Sequence, residues 1–175
     1  MTVELKLNPP KDDLLYILDN LRERDRQEIY ATRWDEDADA LANELCAMGE
    51  FRWAAYLDGR PVAAIGAAPR WPGVWSVWAF GTDDWNKVIL TLTRHVRDFM
   101  IPAIHYSGFH RADCLALETH EDARKWLTFL GGEQEEKLDN WGKNGENFVV
   151  YRWSRETTLR LIHERRSAPR QFEGE

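Results

Sequence analysis

Apolar and polar positions along this chain follow two periods, and the switches between them mark out its elements. Val3, Leu5 and Leu7 alternate with polar residues, which predicts a strand ended by Asn8-Pro9-Pro10. Leu14, Leu15, Ile17, Leu18 and Leu21 then share one face of a helix that Asp12 or Asp13 can cap. A charged stretch from Arg22 to Arg26 leads through Glu28-Ile29-Tyr30-Ala31. Beyond it, Leu41, Leu45 and Met48 predict a second helix from about Asp37, stopped by Gly49. Residues 53–57 and 62–66 flank Asp58-Gly59, the strongest short signal for a hairpin.

The second half is patterned as clearly. Residues 69–73 read as a loop and 74–80 as an apolar strand. Gly81-Thr82-Asp83-Asp84 opens a long helix with Val88, Ile89, Leu92, Val96, Phe99 and Met100 on one side, ending near Pro102 or reaching Tyr106-Ser107-Gly108. Cys114-Leu115-Ala116-Leu117 is a strand that runs into Glu118-Thr119-His120-Glu121. A short helix then carries Ala123, Trp126, Leu127 and Leu130 on one face and stops at Gly131-Gly132. Two strand-like runs follow, the second at 148–151, around a tip formed by Trp141-Gly142-Lys143-Asn144-Gly145. The order β-α-α-β-β-β-α-β-α-β-β predicts an α/β fold: one domain over residues 1–153, with a mixed central sheet flanked by helices. Residues 154–175 read as an extension. It comprises a helix over 157–166 and a locally basic tail that reads as disordered from Ser167 onward.

Composition narrows the classes. A chain of 175 residues with 43% apolar content can bury one substantial core. No apolar run approaches the ~20 residues of a membrane helix, and the N-terminus lacks the basic and apolar regions of a signal peptide. Cytoplasm, or the interior of a particle assembled there, is the expected location. A net charge of −7 argues against nucleic-acid binding by the surface as a whole. Cys46 and Cys114 read as buried small hydrophobes, and most of the nine tryptophans as core. His105, His110, Asp113 and Cys114 match no zinc spacing, so no metal is expected.

The apolar strand, the helix with its glycine stop and the returning hairpin resemble the end of the Gcn5-related N-acetyltransferase (GNAT) fold, and the order over residues 3–153 is similar to that family. A closer resemblance is to the GNAT-like internal virion proteins of tailed phages. It is carried by Leu21-Arg22-Glu23-Arg24-Asp25-Arg26-Gln27-Glu28-Ile29, Gly59-Arg60-Pro61-Val62-Ala63, Phe80-Gly81-Thr82-Asp83, Arg94-His95-Val96-Arg97 and Trp126-Leu127-Thr128-Phe129-Leu130-Gly131. The resemblance implies that acetyl-CoA lies between the strand at 74–80 and the strand at 113–117. Backbone contacts would come from Ala79, Phe80 and Gly81, and Ala123 would face the cofactor. Thr82 to Lys87, Asn86 included, would form a phosphate turn at a helix N-terminus.

The chain departs from the family at three points. The turn Gly81-Thr82-Asp83-Asp84-Trp85-Asn86-Lys87 has no further glycine and carries two carboxylates. A carboxylate about 5 Å from a phosphate charge costs roughly 3 kcal/mol at an effective dielectric near 20. The helix dipole returns about 0.3–1 kcal/mol. Repulsion wins unless Lys87 or Arg94 compensates. The family's thiol-protonating Tyr corresponds to Leu127, and its Asn to His120. The strand at 75–80 has no acidic residue, which leaves Glu118 and His120, at the exit of the neighbouring strand, as the candidate acid–base groups. Two functions from different classes follow: acetyl transfer from acetyl-CoA to an amine, or a non-catalytic virion component that binds other phage proteins. A Gly81→Trp substitution is expected to block acetyl-CoA while leaving the fold intact.

Overall fold

The computed structural model describes residues 1–167, and its secondary structure follows the hydrophobic periods closely. β1 (Val3–Leu7), α1 (Lys11–Asp19), α2 (Glu23–Ala31) and α3 (Ala38–Ala47) precede β2 (Arg52–Leu57), β3 (Arg60–Trp71) and β4 (Val74–Gly81). α4 (Trp85–His95) continues through a π-helical turn at Val96–Met100 into α5 (Ile101–Tyr106). β5 (Arg111–Leu117), α6 (Glu121–Phe129), β6 (Glu133–Leu138), β7 (Phe148–Ser154) and α7 (Arg155–Ser167) complete the described chain.

The strands form one mixed sheet in the order β1-β2-β3-β4-β5-β7-β6, in which only β4 and β5 are parallel neighbours. Helices cover both faces. Trp53, Ala55, Ala63 and Ile65 face Val88 and Leu92 of α4. Ala54, Tyr56, Ala64 and Phe80 face Leu14, Leu18, Leu41 and Leu45 of α1 and α3. Burial on both faces explains why β2 and β3 read as continuous apolar runs rather than alternating ones.

α2 was not foreseen. Its sequence offers Ile29 as the one strongly apolar side chain before Tyr30, and the residue it buries first is Asp25. β3 also runs on to Trp71 through the stretch read as a loop. The helix at 121–129 stops as expected: Gly131 takes a positive φ of 84°, and Gly132 N–H donates to Leu127 O at 2.9 Å, satisfying an end carbonyl. α7 packs on the domain instead of projecting from it. Ile162 is buried, and the buried Thr158 hydroxyl lies 2.8 Å from His105 Nδ1. The part of the tail beyond Ser167, read as disordered, lies outside the described residues. Cys114 is buried, whereas Cys46 is half-buried, and both are free thiols. Trp34, Trp71 and Trp141 are exposed.

Candidate functional site

β4 and β5 pair only at Val74↔Arg111, Trp75↔Ala112 and Ser76↔Asp113, although both strands run further. Beyond Ser76 and Asp113 they diverge, leaving a V-shaped gap within the sheet. The strand-edge geometry shows what faces it. Thr82 N–H donates to Val62 O at 2.8 Å, so in the antiparallel ladder Gly81 points its own N–H and C=O away from β3 and toward β5. The two-residue period puts the backbone groups of Ala79 and Val77 on the same edge.

α2 lies across the open end of the V and is bonded to both strands. Asp25 Oδ2 accepts from Gly81 N–H at 2.7 Å, and Gly81 O accepts from Arg22 N–H at 3.0 Å. On the other strand, Glu28 Oε2 accepts from Leu117 N–H at 2.7 Å. Arg22 Nε lies 2.8 Å from Asp25 Oδ2, and its guanidinium sits 4.5 Å over the Trp85 ring. Burial pushes the Asp25 carboxyl above its usual range, opposed by Arg22 and the Gly81 N–H.

His120 completes this cluster. It is the N-cap residue of α6 and only 1% exposed. Its Nδ1 lies 3.1 Å from Glu28 Oε2, an acceptor when ionised, which assigns the proton to Nδ1 in the neutral ring. Nε2 then carries the lone pair. It is buried, has no hydrogen-bond partner and lies 3.6 Å from Asp25 Oδ1.

Arg22, Asp25, Glu28 and His120 line a cavity of about 350 Å³ that runs from this cluster through the gap and under α4 and α6. Ala79, Phe80, Asn86 and Ala123 line it too, together with Trp85 and Trp126, whose rings meet edge-to-face at 5.3 Å. The other residues named from the sequence lie elsewhere. Gly81 contributes its backbone to α2. Thr82 is buried, accepting from Asp84 N–H through Oγ1 and from Trp85 N–H through its carbonyl. Lys87 Nζ lies 2.7 Å from Asp84 Oδ1, and Asp84 also pairs with Arg60, so these two cations hold its carboxyl below the usual range. One of the two turn carboxylates is thus neutralised locally, in part by the Lys87 named from the sequence. Glu118 points to the β6–β7 hairpin, accepting from Asn147 Nδ2 at 2.9 Å and pairing with Lys137 at 3.0 Å. The structure places it outside the cavity and apart from His120, and these partners hold its carboxyl below the usual range.

Arg22, Asp25 and Glu28 were not picked out as site residues from the sequence. The signal was present: spacings of three place all three on one side of a helix that has little apolar surface to bury. The substitution Gly81→Trp also needs correcting. A Cβ at Gly81 would lie 2.7 Å from the Trp85 ring and 3.1 Å from the Val62 carbonyl, so a side chain there disturbs the fold itself.

Neither a family model nor a curated protein sequence matches the chain. Solved structures do. An N-acetyltransferase from Staphylococcus aureus Mu50 aligns with a TM-score of 0.69 at 12% identity, covering 89% of this chain and 99% of that one. Ard1 from Thermoplasma volcanium aligns with a TM-score of 0.66 at 10% identity, covering 88% and 98%. The ribosomal-protein-S18-alanine N-acetyltransferase from Escherichia coli aligns at 0.60 and 12% identity, covering 87% and 94%. At such identities the likeness concerns the fold. A seven-stranded mixed sheet parted between β4 and β5, with helices on both faces, gives this chain the fold of the GNAT N-acetyltransferases.

Proposed function

We propose that the chain is an N-acetyltransferase that binds acetyl-CoA in the gap between β4 and β5 and uses His120 as its acid–base group. The observation that carries this reading is the buried, unpartnered Nε2 of His120 at a cavity that opens along a free strand edge. Acetyl-CoA supplies the acyl group already activated as a thioester. The residues present fit its pantetheine arm. Ala79 offers backbone groups for the amides of the pantetheine arm, and Asn86 and Ala123 line the same passage.

The chain's own groups divide the chemistry. Glu28 holds the imidazole with Nδ1 protonated, so Nε2 can accept a proton from the attacking amine. The C–N bond forms, the C–S bond breaks, and the proton taken up at Nε2 passes to the departing thiolate. One imidazole thereby covers both the base that β4 lacks and the acid missing at Leu127. Asp25 Oδ1, 3.6 Å from Nε2, faces the charge that the ring gains.

Calorimetric titration with acetyl-CoA, followed by thiol release with a panel of primary amines, tests this reading. Binding with turnover, lowered about 10²–10⁴-fold by His120→Gln, supports it. A variant with unchanged kcat and a raised KM for acetyl-CoA would make His120 a binding residue instead. No binding at millimolar acetyl-CoA would refute the reading.

A second reading is a component that docks on other proteins, phage virion proteins by the resemblance in sequence; Trp34 and Trp141, exposed in the α2–α3 and β6–β7 loops, fit a protein contact of that kind. The two loops touch: Lys143 N–H donates to Ala31 O at 2.7 Å. The likeness to acetyltransferases supports the fold and is silent on this role. Copurification with phage proteins that is unchanged in a Trp34→Ala, Trp141→Ala double variant would exclude these loops as the contact surface, and the absence of any phage partner for the wild type would exclude the reading. Truncation at residue 154 is not a usable test, because it removes the buried Thr157, Thr158 and Ile162.

A further inference from the structure

Past the polar cluster the cavity continues along an apolar stretch of wall that acetyl transfer does not need. The polar side chains of the cluster, Arg22, Asp25, Glu28 and His120, lie at the open end of the gap, toward Gly81 and Leu117. The apex lies where β4 and β5 still pair, at Trp75↔Ala112. There the same cavity is lined by Met100, Ile104, Phe109, Ala112 and Trp153, each less than a tenth exposed. The polar groups nearby are already used. Thr158 Oγ1 lies 2.8 Å from His105 Nδ1 and 3.0 Å from Arg155 O, and Arg70 donates to Ser76 Oγ at 3.2 Å. The π-helical turn at Val96–Met100 contributes Val96 and Met100 to the wall. Such wide turns recur at functional sites.

We propose that this apex is a binding site for an aliphatic chain, and that the protein prefers a medium-chain acyl thioester to the acetyl one. The inference rests on the acyltransferase reading for the source of the chain. A thioester laid along Ala79 with its carbonyl beside His120 has its acyl group directed toward the apex, so added methylenes extend along that apolar wall. An apolar hollow of this kind offers water no partners and takes an apolar ligand readily. Each methylene that leaves water for such a site tightens binding about fourfold.

The test is calorimetry on the full chain with acetyl-CoA, octanoyl-CoA and free octanoate. The expected result is octanoyl-CoA binding at least tenfold tighter than acetyl-CoA, with that ratio reduced at least tenfold in Ala112→Leu. Ile104→Phe fills the same space from the helix side and serves if Ala112→Leu misfolds. If neither variant folds, the wild-type ratio decides alone. Equal affinity for the two thioesters would overturn the proposal and leave the acyltransferase reading standing. Octanoate binding that Ala112→Leu abolishes, with neither thioester bound, would keep the aliphatic site and refute the acyltransferase reading. No binding of any of the three would overturn both.

Discussion

The two ends of the gap between β4 and β5 are built on opposite principles. At the open end, α2 closes the strands with hydrogen bonds and charge: Asp25 holds Gly81, Glu28 holds Leu117, and Arg22 and His120 sit between them. At the apex, apolar side chains from β5, β7 and the π-turn line the cavity. The first end is held by a few directional contacts, each costly to lose because its partners are buried. The second is held by non-directional burial, which tolerates changes of volume where space is already present. Positioning and proton transfer suit the first, and graded recognition of apolar length suits the second.

Substitutions at the open end should break this contrast most severely. Gly81→Trp forces a side chain against Trp85 and the Val62 carbonyl. It is expected to cost about 3 kcal/mol or more and to show in denaturant melts as a destabilised or insoluble protein. Native-like stability would mean that the contact between β4 and α4 is looser than the structure has it. Next comes Asp25→Ala, which strands the Arg22 guanidinium and the Gly81 N–H together. A loss of about 3 kcal/mol in urea unfolding is expected. A loss below about 1 kcal/mol would show that α2 is not held by this carboxylate.

Acidity sharpens the same comparison. His95 and His105 are held below the usual imidazole range, chiefly by desolvation. Their folded-state pKa values lie under the unfolded ones, so the stability tied to their neutral forms is complete above the unfolded pKa of about 6.5. It is lost as pH falls through that value toward the folded ones. Asp25 has the opposite sign: its raised pKa favours the protonated form, so its contribution declines as pH rises above the ordinary carboxylate value. Melting temperature should therefore fall between pH 7 and 5.5, and a His95→Gln, His105→Gln double variant should flatten that fall. An unchanged slope in the double variant would assign it to other groups.

The smallest effect belongs to α2's outer face. Arg26 pairs with Glu36 in the open. Arg26→Ala should change stability by no more than about 1 kcal/mol, although it is the neighbour of Asp25, whose loss costs several times that. Equal losses at Asp25 and Arg26 in the same melts would erase the distinction between the buried and exposed faces of the helix.

Most of the element order around these ends was legible from patterning because these helices and strands bury apolar faces. Leu14, Leu18, Leu41 and Leu45, the Asp58-Gly59 turn and the Gly131-Gly132 stop each announce themselves locally. His120, named from its place after an apolar strand, lies in the wall of the cavity. What apolar patterning did not announce was α2, since a helix that docks through carboxylates on strand N–H groups carries no apolar stripe, and only the spacing of Arg22, Asp25 and Glu28 marked it.

By itself the sequence determined the periods, the turns and the caps, because those depend on residues a few positions apart. Only the tertiary structure decided that β4 and β5 part company after Ser76 and Asp113, that α2 spans the opening, and that Glu118 turns away while His120 turns in. Those outcomes depend on pairs 56 and 89 residues apart, Asp25 with Gly81 and Glu28 with Leu117. A carboxylate near a helix start looks the same in the chain whether it meets water or a buried N–H. The difference lies in what burial makes it cost to leave that N–H unpaired.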